Sequence, residues 1–218
     1  MFEYGYWMIV AINSLVFIVF AFSFTRPKTK RDWRSFNAFS AFIVALFAEM
    51  YGFPLTIYLL SGWLGSHYPG LDPFSHGSGH LWYTFLGLSG DPHNMLIHSI
   101  SEWMVFGGLL FLAFTWRFLY KAQQEGVVAT SGPYRYVRHP QYVAFITILA
   151  GFVIQWPTII TLLMFPVLVI MYVRLAKIEE KESLEYFGEE YARYMSATPA
   201  FLPFGSPSQK SGTSGQVE

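Results

Sequence analysis

Residues Tyr142–Val173, YVAFITILAGFVIQWPTIITLLMFPVLVIMYV, decide the fold, because these 32 residues contain no charge. A helix rises 1.5 Å per residue, so about 20 apolar residues cross a hydrocarbon core of about 30 Å. The stretch is therefore too long for one ordinary span. Trp156-Pro157 stands near its middle, and proline removes a helical donor and disfavours helical geometry in the residue before it. We predict a hairpin of two helices, Tyr142–Gln155 and Thr158–Val173, rather than one kinked helix.

Three further apolar segments precede this hairpin. They are Tyr6–Phe24, Met95–Tyr120 and Phe36–Leu60, the last interrupted only by Glu49 and Pro54. Each is long enough to cross a bilayer. Together with the hairpin they predict an all-α integral-membrane bundle of five transmembrane helices.

The chain after the hairpin is more polar and predicts a cytoplasmic helix from Arg174 to about Ala197. Its apolar and aromatic side chains recur at spacings of three and four residues, which places them on one face of a helix; they are Leu184, Phe187, Tyr191 and Tyr194. Residues 205–218 are rich in serine and glycine and predict a disordered tail.

The basic residues predict the orientation of the bundle. With five spans, all 14 lysines and arginines fall on one side, and the connection 61–94 contains none of them. Basic residues concentrate on the cytoplasmic side of membrane proteins. We therefore expect the N-terminus outside and the C-terminus in the cytoplasm.

The composition excludes several classes of function. Apolar residues make up 53% of the chain and charged residues 13%, about half of the roughly 25% that is usual in soluble domains. Fourteen basic and fourteen acidic residues balance, so no net charge attracts nucleic acid. Because cysteine is absent, disulfides, thiolate metal sites and cysteine nucleophiles are excluded.

The loop before the hairpin, GVVATSGPYRYVRHPQY at 126–142, is the most informative polar segment. A hairpin returns its two ends to one surface, so Arg138, His139 and Pro140 are expected near Arg174 and Glu179. From these residues alone, the loop could equally be a set of interfacial basic and tyrosine anchors.

Three motifs together indicate a family. GPYRYVRHPQY at 132–142, EEKE at 179–182 and FGEEYARY at 187–194 resemble the integral-membrane methyltransferases. This superfamily includes isoprenylcysteine carboxyl methyltransferase, the phospholipid N-methyltransferases and the relatives of the NnrU protein. The resemblance covers about Gly126 to Pro203. One departure is Ala144, where many members have glycine, but alanine is still small enough for close helix packing.

The resemblance implies S-adenosylmethionine as methyl donor and a lipophilic or membrane-partitioned acceptor that bears a carboxylate, amine or thiol. Together with the apolar segments, it predicts a chain of three parts: three transmembrane helices with an external histidine-containing loop at 1–120, the cofactor-binding loop, hairpin and C-terminal helix at 121–204, and the tail at 205–218. Arg174 matches the arginine beside the acceptor group. The residues implied in donor binding are Gly126, Val127, Val128, Ala129, Tyr134, Arg138, His139, Pro140, Tyr142, Glu179 and Glu180.

The remaining polar residues leave other interpretations open. Glu49, His98 and Glu102 could pair within the bundle, line an acceptor pocket, or form a metal site with the external histidines His67, His76, His80 and His93. No tight ligand motif appears, so no metal ligand is assigned. Two other functions remain: a small transporter that relays protons or metal ions, and a non-catalytic membrane subunit or metal-stress accessory.

Overall fold

The protein is described by a computed structural model over residues 4–25, 30–72, 75–88, 90–94 and 96–203. These residues form helices and connecting turns without a β-strand, which confirms the all-helical prediction. The predicted tail at 205–218 lies outside them. The α-helices are α1 (Trp7–Thr25), α2 (Lys30–Phe47), α3 (Leu55–His67), α4 (Leu81–Phe85), α5 (Leu96–Glu125), α6 (Pro140–Gln155), α7 (Ile159–Phe187) and α8 (Glu189–Ala197).

The predicted hairpin is confirmed as α6 and α7. The turn between them buries Trp156, which is 2% exposed. Helix α7 begins with a reciprocal cap, because the Thr161 amide donates to Thr158 Oγ1 and the Thr158 amide donates to Thr161 Oγ1. Proline stops α6 and this cap starts α7, so the turn is specified by residues next to one another in sequence.

The end of the hairpin differs from the prediction. Helix α7 does not stop at Val173 but continues through Arg174 to Phe187 as one helix of 29 residues. The break comes at Gly188, whose φ of 55° favours glycine. The separate helix expected at 174–197 is thus the second half of α7 followed by the short α8. A change in polarity does not break a helix, whereas a left-handed glycine does.

The second predicted span is also different, because it consists of two helices. The segments Phe36–Gly52 and Leu55–His67 meet at an angle of 54°. The chain forms one π-helical turn, Ala48–Gly52, just before the bend. Pro54 cannot donate a helical hydrogen bond. The Glu49 carboxylate instead accepts a hydrogen bond from the Thr56 amide at 2.9 Å, which caps the start of α3.

By length and hydropathy, α5 and α7 can cross a membrane, and the described residues contain a third candidate span if the bent pair α2–α3 forms one. The apolar parts of α1 and α6 are shorter. Large apolar side chains such as Trp103 and Leu110 are 79% and 73% exposed on α5, as expected for a surface in contact with lipid. The total of five spans remains a prediction.

Helix α6 lies in the core and packs closely against α5. Gly151 of α6 faces Val105 and the Ser101 carbonyl so closely that a β-carbon there would lie 2.9–3.0 Å from them. Ala144 is fully buried, so the small residue in place of glycine packs as expected. Small residues let membrane helices approach each other. This packing places the first turn of α6 beside the C-terminal halves of α5 and α7, which are predicted to face the cytoplasm.

Candidate functional site

The loop before α6 is fastened to the segment after α8 by backbone hydrogen bonds. The amides of Arg138 and His139 donate to the carbonyls of Pro199 and Ala200 at 2.9 and 3.0 Å. The Tyr194 hydroxyl donates to the Tyr134 carbonyl at 2.6 Å. The C-terminal segment therefore holds the motif loop in a fixed conformation.

Arg138 joins three parts of the chain through one guanidinium. Its Nη2 and Nε lie 2.7 and 2.9 Å from Glu180 Oε1, and its Nη1 donates to the carbonyls of Met195 and Thr198. The side chains of Arg138 and Glu180 are only 11% and 15% exposed. This buried pair connects the loop, α7 and the end of α8.

His139 belongs to the same buried cluster. Its ring is 2% exposed, its Nε2 lies 2.9 Å from Glu180 Oε1, and its Nδ1 lies 3.8 Å from Glu179 Oε2. Burial lowers the pKa of His139 despite the nearby Glu180 carboxylate. Burial tends to raise the pKa of Glu180, but the hydrogen bonds and charges of Arg138 and His139 outweigh it and lower that pKa. At neutral pH the imidazole is therefore neutral and donates Nε2–H to a charged carboxylate.

A cavity of about 1140 Å³ lies beside this cluster, between α1, α2, α5, α6 and α7. Ligand pockets commonly measure about 300–1,000 Å³, so the cavity has room for more than one small molecule. Its aromatic lining residues are Phe36, Phe39, Trp116, Tyr120, Tyr142, Phe145, Tyr172, Tyr186 and Phe187. Its polar lining residues are Ser23, Arg117, Gln123, Gln141, Glu179, Glu182 and Ser183.

The lining changes in polarity along α7. Tyr172 and Leu175 line the part nearer the hairpin turn, and the polar residues Glu179, Glu182 and Ser183 follow them along the helix. Tyr186 and Phe187 line the end nearest α8. Tyr172 and Ser183 are eleven positions apart on α7, which corresponds to a rise of about 16 Å along the helix axis. The Tyr142 hydroxyl donates to the Glu179 carboxylate in this cavity. The cavity thus joins an apolar region to a carboxylate-bearing region.

The structure divides the predicted site residues into two groups. Tyr142 and Glu179 line the cavity. The rest of the predicted set does not line it. Val128, Tyr134, His139 and Pro140 are buried and, with the partly buried Arg138 and Glu180, brace the loop, whereas Gly126, Val127, Ala129 and Arg174 are wholly or partly exposed.

Helix α5 supplies lining residues that the motifs did not indicate. Trp116, Arg117, Tyr120 and Gln123 recur at the three- and four-residue spacing of one helical face. That spacing was visible in the sequence, but nothing in it showed which face turns toward the motif loop. Gln141, inside the motif, also lines the cavity and accepts a hydrogen bond from the buried Tyr134 hydroxyl at 3.0 Å.

The polar residues of the transporter interpretation do not share one set of hydrogen bonds. His98 Nε2 lies 3.1 Å from Glu102 Oε1, whereas Glu49 bonds to the Thr56 amide. Near His98, at the other end of α6, three histidines come together: His76, His80 and His93. Burial and the neighbouring imidazoles lower the pKa of His80 to about 4.

Comparison with known proteins agrees with the motifs. Residues 95–185, which include α5, the motif loop, α6 and most of α7, match the isoprenylcysteine carboxyl methyltransferase (ICMT) family. No curated protein and no solved structure matches the chain. The match supports a membrane methyltransferase, and members of the matched family in general use S-adenosylmethionine as methyl donor. Through residues 95–185, this chain is similar to the isoprenylcysteine carboxyl methyltransferase family, and the match supports the integral-membrane methyltransferase superfamily.

Proposed function

We propose that the protein transfers the methyl group of S-adenosylmethionine to a lipophilic or membrane-partitioned acceptor that bears a carboxylate, amine or thiol. The observation that supports this most is that one cavity, of about 1140 Å³, is lined by both the Glu179 carboxylate and a large aromatic surface. A polar donor and an apolar acceptor require these two environments side by side.

The lining residues fit the chemistry of the donor. The Glu179 carboxylate can pair with its ammonium group and the Arg117 guanidinium with its carboxylate. Aromatic faces such as those of Tyr142 and Trp116 can stabilise a sulfonium by cation–π contact, worth about 0.5–2 kcal/mol. When bound, S-adenosylmethionine supplies an electrophilic methyl group on sulfur.

The protein's own contribution is to position the reactants and to exclude water. The ring of Tyr172 stacks on Tyr142 at 5.5 Å and on Phe145 at 5.7 Å, so these three side chains form a rigid wall. The hydrogen bond to Glu179 fixes the Tyr142 hydroxyl. Methyl transfer from a cation needs no covalent nucleophile, so positioning can supply most of the rate enhancement.

Arg174 remains the residue proposed to orient the acceptor's reacting group. It lies five residues before Glu179 on α7, which places the two about 140° apart around the helix. Arg174 is exposed and does not line the cavity, so this role rests on the resemblance. The bilayer and the acceptor are the proposed partners.

Donor binding tests the proposed function directly. Isothermal titration of the folded, detergent-solubilised chain with S-adenosylmethionine should show one donor per chain. A screen with labelled donor, followed by extraction into organic solvent, should then identify the acceptor. No heat of binding at millimolar donor, in protein whose helicity is verified by circular dichroism, would contradict the proposal and favour the transporter interpretation.

The proposed topology has a separate test. The chain contains no cysteine, so one introduced cysteine reports its own side of the membrane. Gly70 in the α3–α4 connection is exposed, with no atom within 4 Å of its β-position, and Glu190 on α8 is exposed. We expect Gly70→Cys to react only from outside and Glu190→Cys only from the cytoplasm. The reverse pattern, or labelling of both from one side, would refute the orientation.

A further inference from the structure

A cluster of imidazoles lies at the end of α6 remote from the cavity. Helix α6 has 16 residues, so its ends are about 24 Å apart. Gln141 and Tyr142 line the cavity at the first turn, whereas the carbonyl of Gln155 at the last turn lies 2.9 Å from His80 Nδ1. The methyl-transfer site does not use this cluster.

We propose that His76, His80 and His93 bind one Zn²⁺ ion and thereby hold together the α3–α5 connection, which packs on the turn of the α6–α7 hairpin. One ligand atom from each of these residues lies within 4.8 Å of the other two. Imidazole nitrogen is a preferred ligand of zinc, and sites with three protein ligands leave a fourth position for water. The proposal is independent of the proposed methyl transfer.

The separation of two ligand atoms already suits a tetrahedral ion. Zinc–nitrogen bonds measure about 2.0–2.1 Å, and tetrahedral geometry then places two ligand nitrogens about 3.3–3.4 Å apart. His80 Nε2 and His93 Nε2 are 3.3 Å apart. The third ring, His76, stacks parallel to His93 with centroids 5.9 Å apart and an interplanar angle of 9°.

The hydrogen bonds behind the two rings determine which nitrogens are available. His80 Nδ1 faces a backbone carbonyl, and His93 Nδ1 lies 3.0 Å from Asp91 Oδ1. A carbonyl and a carboxylate accept hydrogen bonds only, so each Nδ1 carries the proton and each Nε2 of a neutral ring presents a lone pair. Two lone pairs at 3.3 Å repel each other unless a cation lies between them.

This arrangement is the usual support for metal-binding histidines. Such a residue almost always donates its other N–H to a carboxylate or a backbone carbonyl, which fixes the tautomer and the ring orientation. Asp91 serves His93 in this way, and the Gln155 carbonyl serves His80. If the two Nε2 atoms only shared a hydrogen bond, one ring would be enough to donate it, and an acceptor at Nδ1 of both rings would not be required.

The site would stiffen a connection that contacts the hairpin through ring packing and through the hydrogen bonds of His80 and Trp82 to the carbonyls of Gln155 and Val153. The rings of His76 and His80 pack on Trp156 at 4.5 and 4.9 Å, and His93 lies in the short Pro92–Asn94 turn just before α5. A bound ion would cross-link two parts of the α3–α5 connection, 76–80 and 92–94, and would stabilise the folded state by RT ln(1 + [Zn²⁺]/Kd).

Zinc titration of the full chain tests the proposal. The protein is purified through a histidine-free tag, stripped with a chelator and titrated with Zn²⁺ in detergent. We expect one ion per chain, nitrogen ligands at about 2.0–2.1 Å in X-ray absorption, and a higher melting temperature with Zn²⁺ than with Mg²⁺. Folded wild-type protein that takes up no stoichiometric Zn²⁺ would overturn the proposal.

Variants at exposed positions keep the test independent of folding. The His93 side chain is 44% exposed, so His93→Ala should fold and should weaken Zn²⁺ binding by more than about 100-fold. Asp91→Asn should weaken it by about 10- to 100-fold, as loss of a supporting carboxylate does. His67→Ala, at an exposed histidine outside the cluster, should bind like wild type. Unchanged affinity in His93→Ala would refute the ligand assignment.

Discussion

Replacing either of two adjacent glutamates on α7 by glutamine should affect different properties: donor binding for one and stability for the other. Glu179 lines the cavity, whereas Glu180 pairs with Arg138 and His139 behind it. We predict that Glu179→Gln weakens donor binding without loss of stability. Glu180→Gln should instead destabilise the fold, because it leaves the buried Arg138 guanidinium without its countercharge.

The magnitudes follow from the exposure of each side chain. A hydrogen bond to a charged group contributes about 1.5–3 kcal/mol. Because the Glu179 side chain is 36% exposed, we expect the lower part of this range, or a roughly 10- to 30-fold increase in the donor's Kd. The Glu180 side chain is 15% exposed, and breaking a buried ion pair costs about 3 kcal/mol or more. In a chain of this size that lowers Tm by roughly 6–12 °C.

The assay combines titration calorimetry with thermal unfolding, both on detergent-solubilised protein. Glu185→Gln is the matched control, because Glu185 lies on the same helix, is 68% exposed and pairs with Lys181 only at 3.8 Å. It should change neither quantity, since exposed ion pairs contribute about 0–1 kcal/mol. Unchanged donor affinity in Glu179→Gln, or an unchanged Tm in Glu180→Gln, would refute the assignment of the residue concerned.

Three further predictions concern other parts of the chain. Burial lowers the pKa of His139, so around this pKa the folded state binds fewer protons than the unfolded state. The contribution of this residue to stability is therefore full above about pH 6.5 and is lost as the pH drops through the folded pKa. His139→Gln should flatten the part of the Tm–pH curve just below pH 6.5, and an unaltered curve would contradict this. Gly79→Ala should cost about 1–3 kcal/mol in thermal unfolding, because its β-carbon would overlap the Trp156 ring, whereas Gly77→Ala, which meets open space, should unfold like wild type. Arg174→Lys should lower kcat or raise the acceptor's KM at unchanged donor affinity, because lysine keeps the charge but loses the planar fork; wild-type kinetics would identify Arg174 as an interfacial anchor.

Features set by neighbouring residues could be predicted from the sequence. The hairpin turn follows from Trp156-Pro157 within an uncharged run, and the similarity to membrane methyltransferases follows from the motif loop. The predicted ends of the last two helical segments are wrong, because the change in composition at Arg174 does not end the helix. The backbone instead breaks at Gly188, where φ is positive.

The candidate site could be predicted only in part, because the packing of the motif loop on α7 is not a local property of the sequence. The motif contains both Glu179 and Glu180, but successive residues of a helix point about 100° apart. Only the docking of the loop on α7 decides which of the two lines the cavity. The sequence likewise contained the helical spacing of Trp116, Arg117 and Tyr120 without indicating their partner.

The sequence by itself determined an all-helical membrane protein with a C-terminal-half hairpin and a methyltransferase motif, because apolar length, proline and short motifs act locally. Only the tertiary structure decided which motif residues brace the loop and which line the cavity. It also decided that His76, His80 and His93 lie together, although they are spread over 18 residues of sequence. Such proximity depends on how the α3–α5 connection packs on the hairpin turn, and packing joins residues that no local pattern relates.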